Sequence, residues 1–145
     1  RLFLLPMKLR LLWLDRRVNF QGTVNNVEEI LANADIFVHP ARWREAFGLG
    51  VAEAMACGIP VVAPNSGAMP ELIQDGVSGL LVQPDSVTAI CEALERLKDS
   101  EILRRRLSKN ARQEVLKRFS LEQSVRDHIN WCEEVAYERI SRSKA

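Results

Sequence analysis

Glu45 and Glu53 stand eight positions apart in the stretch "REAFGLGVAEAMACGIPVV", residues 44–62, with the tripeptide "GLG" between them. Ionised carboxylates accept hydrogen bonds from neighbouring hydroxyls, and glycine lets backbone amides come close to a ligand. A helix starting at Gly48 or Leu49 would point its first free N–H groups, and the positive end of its dipole, out of that loop. Such an end is a seat for an anion, most naturally a phosphate, here built from residues 47–50. Glu53 then lies about one turn along the helix, roughly 6 Å from the seat, within reach of a ribose. Glu45 lies on the other side, where its carboxylate would meet hydroxyls on whatever continues beyond the phosphates. Two acids flanking an anion seat read as two clamps for polyols.

The elements that must hold this loop alternate along the chain. The segment "RVNFQGTV", residues 17–24, alternates apolar and polar positions and predicts a short strand ending in a loop at Gly22 to Val24. "NNVEEILANAD" follows, with an Asn cap, acids in the first turn and Val27, Ile30 and Leu31 at helical spacing. "IFVHP" predicts a parallel strand buried on both faces, stopped by Pro40. "LGVAEAMACG" predicts a helix with Gly58 just past its end, and "IPVVAPN" and "LLVQP" predict further strands on either side of a turn around residues 70–73. From Ser86 onward the pattern is helical. Before all of this, "RLFLLPMKLRLLWL" is too short and too charged for a membrane span and reads as a core-facing helix starting near Pro6. Alternating strands and helices predict an open parallel α/β sheet of Rossmann type, in which ligands sit outside the carboxyl ends of the strands.

Bulk properties exclude more than they name. A length of 145 residues suits one compact unit. A formal net charge of +1 gives no general attraction to nucleic acid or anionic lipid. Cys57, Cys91 and Cys132 form no C-x-x-C pair, which argues against a zinc site or a disulfide framework and fits the cytoplasm.

The motif "EAFGLGVAE" matches the E-x7-E pattern of retaining GT-B glycosyltransferases. The following "EAMACGIPVVAPNSGAMPELIQDGVSGLLVQP" resembles the glycosyltransferase group 1, family 4-like, enzymes, and the resemblance runs from about Arg17 to Phe119. The spacing alone is weak, but its combination with "EAMACG.PVV", "PELI.DG" and "GLLV" in order is specific. The resemblance implies the C-terminal, donor-binding half of a GT-B fold: a Rossmann-like open parallel sheet followed by C-terminal helices. It predicts a single incomplete domain over residues 1–145, with an α/β core at about 15–99 and helices at 100–143. It also implies that Glu53 binds the ribose and that Glu45 contacts the donor sugar at the reacting centre. The loop amides of Phe47, Gly48 and Leu49 would meet sugar and diphosphate, and Gly22 and Val24 would lie near the base.

The expected reaction is transfer of a hexosyl group from a UDP- or GDP-sugar to a glycan, lipid or small acceptor, with retention of anomeric configuration. No Asp-x-Asp occurs, so a metal-independent site with no cofactor is expected. The family's basic Arg and Lys pair and its acceptor-binding N-terminal domain find no counterpart in the sequence, so the chain alone is expected to be inactive and to need that domain as partner. The alternative is an inactive relative serving as a nucleotide-binding or interaction module.

Other readings of the same residues are weaker. His39 at a strand end suits a base or metal ligand but is more often structural. A triad of His39 with Ser66 lacks the G-x-S-x-G elbow. Glu45 and Glu53 could be a glycosidase pair, yet a helix N-terminus between them favours an anion. Arg104, Arg105, Lys109 and Arg112 read as a solvated helix face rather than a nucleic-acid patch. Val125, Ile129, Trp131, Cys132 and Val135 give the last helix an apolar face, which points to self-association. Peripheral membrane contact is a further expectation for a full-length protein; nucleic acid is not an expected partner.

Overall fold

A computed structural model describes residues 18–143. The helix expected near Pro6 lies outside the described residues. Among the described residues three parallel strands form one sheet in the order β1 (Phe37–Val38), β2 (Val61–Pro64), β3 (Leu80–Val82). Phe37 pairs with Val61 and Val38 with Val62, while Val62, Ala63 and Pro64 pair with Leu80, Leu81 and Val82. Among the described residues six helices accompany the sheet: α1 (Val27–Ala32), α2 (Leu49–Ala56), α3 (Met69–Leu72), α4 (Val87–Asp99), α5 (Glu101–Arg118) and α6 (Leu121–Ser143). This is the Rossmann-like parallel architecture expected, with the long helices at the C-terminal end.

Successive strand residues point to opposite faces, and β2 is buried along its whole length. Val61 and Ala63 enter one core with Val51, Met55, Met69, Leu72, Ala111 and Val115. Val62 enters a second core with Leu80, Val82, Ala93, Leu97 and Leu107. A central strand covered on both faces explains the unbroken apolar run "PVVAP".

The helix boundaries follow from local chemistry. Ser86 Oγ accepts from the Ala89 amide at 3.1 Å, Ser100 Oγ from Leu103 at 3.2 Å and Ser120 Oγ from Gln123 at 3.2 Å, which caps α4, α5 and α6. α2 ends in a Schellman arrangement: the Ile59 amide donates to Ala54 O and the Gly58 amide to Met55 O, each at 3.0 Å. Arg112, from α5, donates to Ala56 O at the same end.

Four expectations need correction. Residues 18–24 form no strand: alternation fixes side-chain phase but supplies no partner, and Val18 and Phe20 are exposed. β1 is half-buried and has β2 as its single neighbour among the described residues, so it is not buried on both faces. Asn26 stands at the start of α1, but its amide donates to Glu29 Oε1 at 3.0 Å and caps no backbone amide. The basic residues of α5 are not simply solvated. Arg104 donates to Leu97 O and, at 2.9 Å, to Lys98 O, closing the end of α4.

Val125, Ile129, Trp131 and Val135 of α6 are exposed. No described helix is long and apolar enough to cross a membrane.

Candidate functional site

The loop from β1 to α2 leaves the carboxyl end of the sheet at His39 and reaches the helix at Gly48. Gly48 is the residue before the first turn, with φ of 90°, a left-handed backbone that glycine adopts without strain. A Cβ there would come within 2.4 Å of Met69 Cε, so the absent side chain also lets α3 press against the start of α2. The first amides paired in the helix are Val51 and Ala52, both to Gly48 O at 3.0 and 3.1 Å. The amides of Leu49 and Gly50 precede them with no carbonyl behind. Gly48 is buried, whereas Leu49 is 69% exposed.

Phe47 is partly exposed. It packs edge-on against Phe119, with centroids 5.4 Å apart and ring planes at 82°, and Arg118 lies over the Phe119 ring. The phenyl side chain thus anchors the loop to the end of α5.

Glu45 is the most constrained member of the loop. Its Oε1 accepts from the Trp43 indole at 3.0 Å and lies 3.8 Å from His39 Nε2. Its main chain is gripped from the other side, because the Ala68 amide donates to Glu45 O at 3.0 Å. Gly67 makes that grip possible: it has φ of 58°, and a Cβ would lie 2.5 Å from Glu45 O and 2.7 Å from Glu45 N. Gly67, Ala68, Trp43 and His39 were not legible as parts of one group. The one available signal was the glycine between two helix-compatible residues in "NSGAMPE". Ser66 forms no hydrogen bond to His39; its amide donates to Pro64 O and its carbonyl accepts from Met69, which removes the triad.

Glu53 is placed differently. It is exposed on α2 and lines a shallow cavity of about 240 Å³ with Val27, Glu28, Leu31, Ala56 and Cys57. The two glutamates therefore flank the start of α2 from separate sides, and Glu45 is not among the residues lining the Glu53 cavity. Gly22 is exposed and Val24 half-buried, in the segment that leads into Val27 of the same cavity.

A larger cavity of about 400 Å³ opens at the carboxyl ends of all three strands, lined by residues including Pro40, Pro64, Val82 and Ile90. Arg42 Nε donates to Asp85 Oδ1 at 2.7 Å across its rim. That hydrogen bond, then the charge of the carboxylate, raises the Arg42 pKa further above its ordinary range. Asp85 has φ of 59°, the one non-glycine among the described residues in the left-handed region. Neither residue was singled out by the sequence. Among the described residues no three His, Cys, Asp or Glu side chains converge as metal ligands.

Comparison with known proteins bears on this geometry. The chain is 38% identical over 115 residues to N-acetyl-alpha-D-glucosaminyl L-malate synthase of Bacillus anthracis, covering 79% of this chain and 30% of that protein. It thus spans about a third of the length of the curated relatives it matches. Among solved structures, Alr3699/HepE of Anabaena in complex with UDP superposes with a TM-score of 0.82 at 26% identity, over 89% of this chain and 36% of that one. The C-terminal domain of the group 1 glycosyl transferase LpcC of Francisella tularensis matches with a TM-score of 0.68 at 30% identity, over 79% and 60% of the two chains. Residues 9–114 match the family described as Glycosyl transferases group 1. That match covers most of the chain, and this chain belongs to the group 1 glycosyl transferases.

Proposed function

We propose that this chain is the nucleotide-sugar-binding part of a retaining glycosyltransferase that moves a hexosyl group from a UDP- or GDP-sugar to a glycan, lipid or small-molecule acceptor. The observation that carries the reading is a carboxylate, Glu45, fixed by indole and backbone contacts beside the unpaired first amides of α2. The UDP complex of the Anabaena protein supports a uridine donor.

In this reading the sugar and diphosphate meet the amides of Phe47, Gly48 and Leu49, with the open Gly50 amide beside them. When the bond from the anomeric carbon to the diphosphate oxygen breaks, negative charge grows on that oxygen, and oriented amides stabilise it without having to reorganise. Glu45 Oε1 is occupied by the indole, which leaves Oε2 for a hydroxyl of the sugar. Glu53 accepts from the ribose hydroxyls at the mouth of its cavity, and Gly22 and Val24 border the base. No metal enters the reading. The acceptor, and the residues that select it, belong to an acceptor-binding N-terminal domain as partner. A nucleotide-sugar donor and the three unpaired thiols fit the cytoplasm.

The test is calorimetric titration of the chain with UDP, GDP, UDP-glucose and GDP-mannose, beside Glu53→Ala. Binding of one nucleotide, weakened in the variant by about 1–3 kcal/mol, is the expected result. Absence of binding to all four would overturn the reading and favour an interaction module.

A further inference from the structure

We propose that His39 is a positioning residue for Glu45, so that recognition of the transferred sugar, as distinct from the nucleotide, depends on its imidazole. The inference rests on the donor-site reading above. His39 follows β1 directly, and its amide donates to Val62 O at 2.9 Å, so its backbone belongs to the sheet and not to the loop. Its side chain is 18% exposed, and Nε2 is buried with no hydrogen-bond partner. A buried ring nitrogen left unpaired is disfavoured. The carboxylate oxygen facing it, Glu45 Oε1, stands 3.8 Å away, too far for a hydrogen bond and near enough to form one on a small rotation.

The two residues therefore form an unfinished pair. With the proton on Nε2, His39 donates to Oε1, which already accepts from Trp43. Two donors on one oxygen fix the plane of the carboxylate and leave Oε2 directed at the ligand. Catalytic-site hydrogen bonds that are long without substrate and tighten with it are a common pattern. The sheet supplies the fixed point: Glu45 is in a loop, and His39 ties its carboxylate to the end of β1. His39 itself need not touch the donor. This separates its role from that of a base or metal ligand.

The experiment compares UDP with UDP-glucose, and GDP with GDP-mannose, on the chain and on His39→Ala, His39→Gln, His39→Asn, Glu45→Gln and the double variant His39→Ala/Glu45→Gln. His39→Ala should leave the bare diphosphate's Kd unchanged and reduce the extra affinity of the sugar conjugate by about tenfold, the range of one hydrogen bond to a charged group. A glutamine amide can take the place of Nε2, so His39→Gln should keep most of that extra affinity, and the shorter His39→Asn should not. Since both are amides, their contrast survives even if the alanine variant folds poorly. In the Glu45→Gln background, loss of His39 should add less than twofold. Equal weakening of nucleotide and conjugate, no difference between glutamine and asparagine, or an undiminished effect in the Glu45→Gln background would each overturn the proposal. If the unaltered chain binds a nucleotide but gains nothing from the attached sugar, the proposal falls and the nucleotide site stands. If it binds no nucleotide, the donor-site reading falls first and this proposal with it.

Discussion

Glu45 and Glu53 are the same residue type at either side of one helix start, yet they are held by different means. Glu45 is half-buried, with an indole on its carboxylate and the residue 67–68 turn on its backbone. Glu53 is exposed, and helix phase alone sets its direction. The difference suits the two tasks proposed for them. A group at a reacting centre must be oriented before the reaction, because misplacement there costs rate steeply. A group that holds a ribose needs only to be within reach.

If this contrast is right, substitutions that spare both glutamates should still separate them. The largest effect is expected from Gly67→Ala, where a new Cβ meets the backbone of Glu45 and the left-handed φ is strained at once. A loss of about 1–3 kcal/mol in unfolding free energy is expected, read by denaturant melts, with sugar recognition lost and Glu53-dependent nucleotide binding largely kept. A nucleotide affinity that falls in parallel would break the contrast, since the two sites would then be one. Trp43→Phe is a smaller change: it removes the donor to Glu45 and keeps the aromatic body. The sugar-conjugate affinity should drop about fivefold, the ~1 kcal/mol of an exposed hydrogen bond, while UDP affinity holds. Smallest of all is Arg42→Ala. Arg42 and Asp85 are both exposed, and exposed ion pairs contribute little. No measurable shift in melting temperature is expected at 0.15 M salt; a clear loss would show that the rim of the larger cavity helps to hold the β1 to α2 loop.

Local chemistry was legible in the sequence, and partnership was not. The bounds of α2 depend on residues within a few positions of one another, and the helical pattern after Ser86 became α4, α5 and α6. The alternation in residues 17–24 was as clear as in any strand, but a strand exists only by pairing, and the described part of that segment pairs with nothing. Likewise, the spacing of Glu45 and Glu53 suggested one crevice, although phase on a helix and position in a loop leave the separation of their surroundings open. What grips the main chain of Glu45 comes from residues 67 and 68, more than twenty positions later. No window of local pattern contains both partners. The basic residues of α5 teach the same point: charge spacing marked a wet surface, and the fold used Arg104 and Arg112 to close the ends of two other helices.

The division of the interior by β2 has a practical consequence. Met69 and Val51, which shoulder the start of α2, lie with the first core, while Val62, Leu80, Val82, Ala93, Leu97 and Leu107 fill the other side. Substitutions confined to Val62, Leu80, Ala93, Leu97 and Leu107 would therefore offer a way to raise thermal robustness without repacking the residues behind the start of α2, whereas Val82 also lines the cavity at the strand ends.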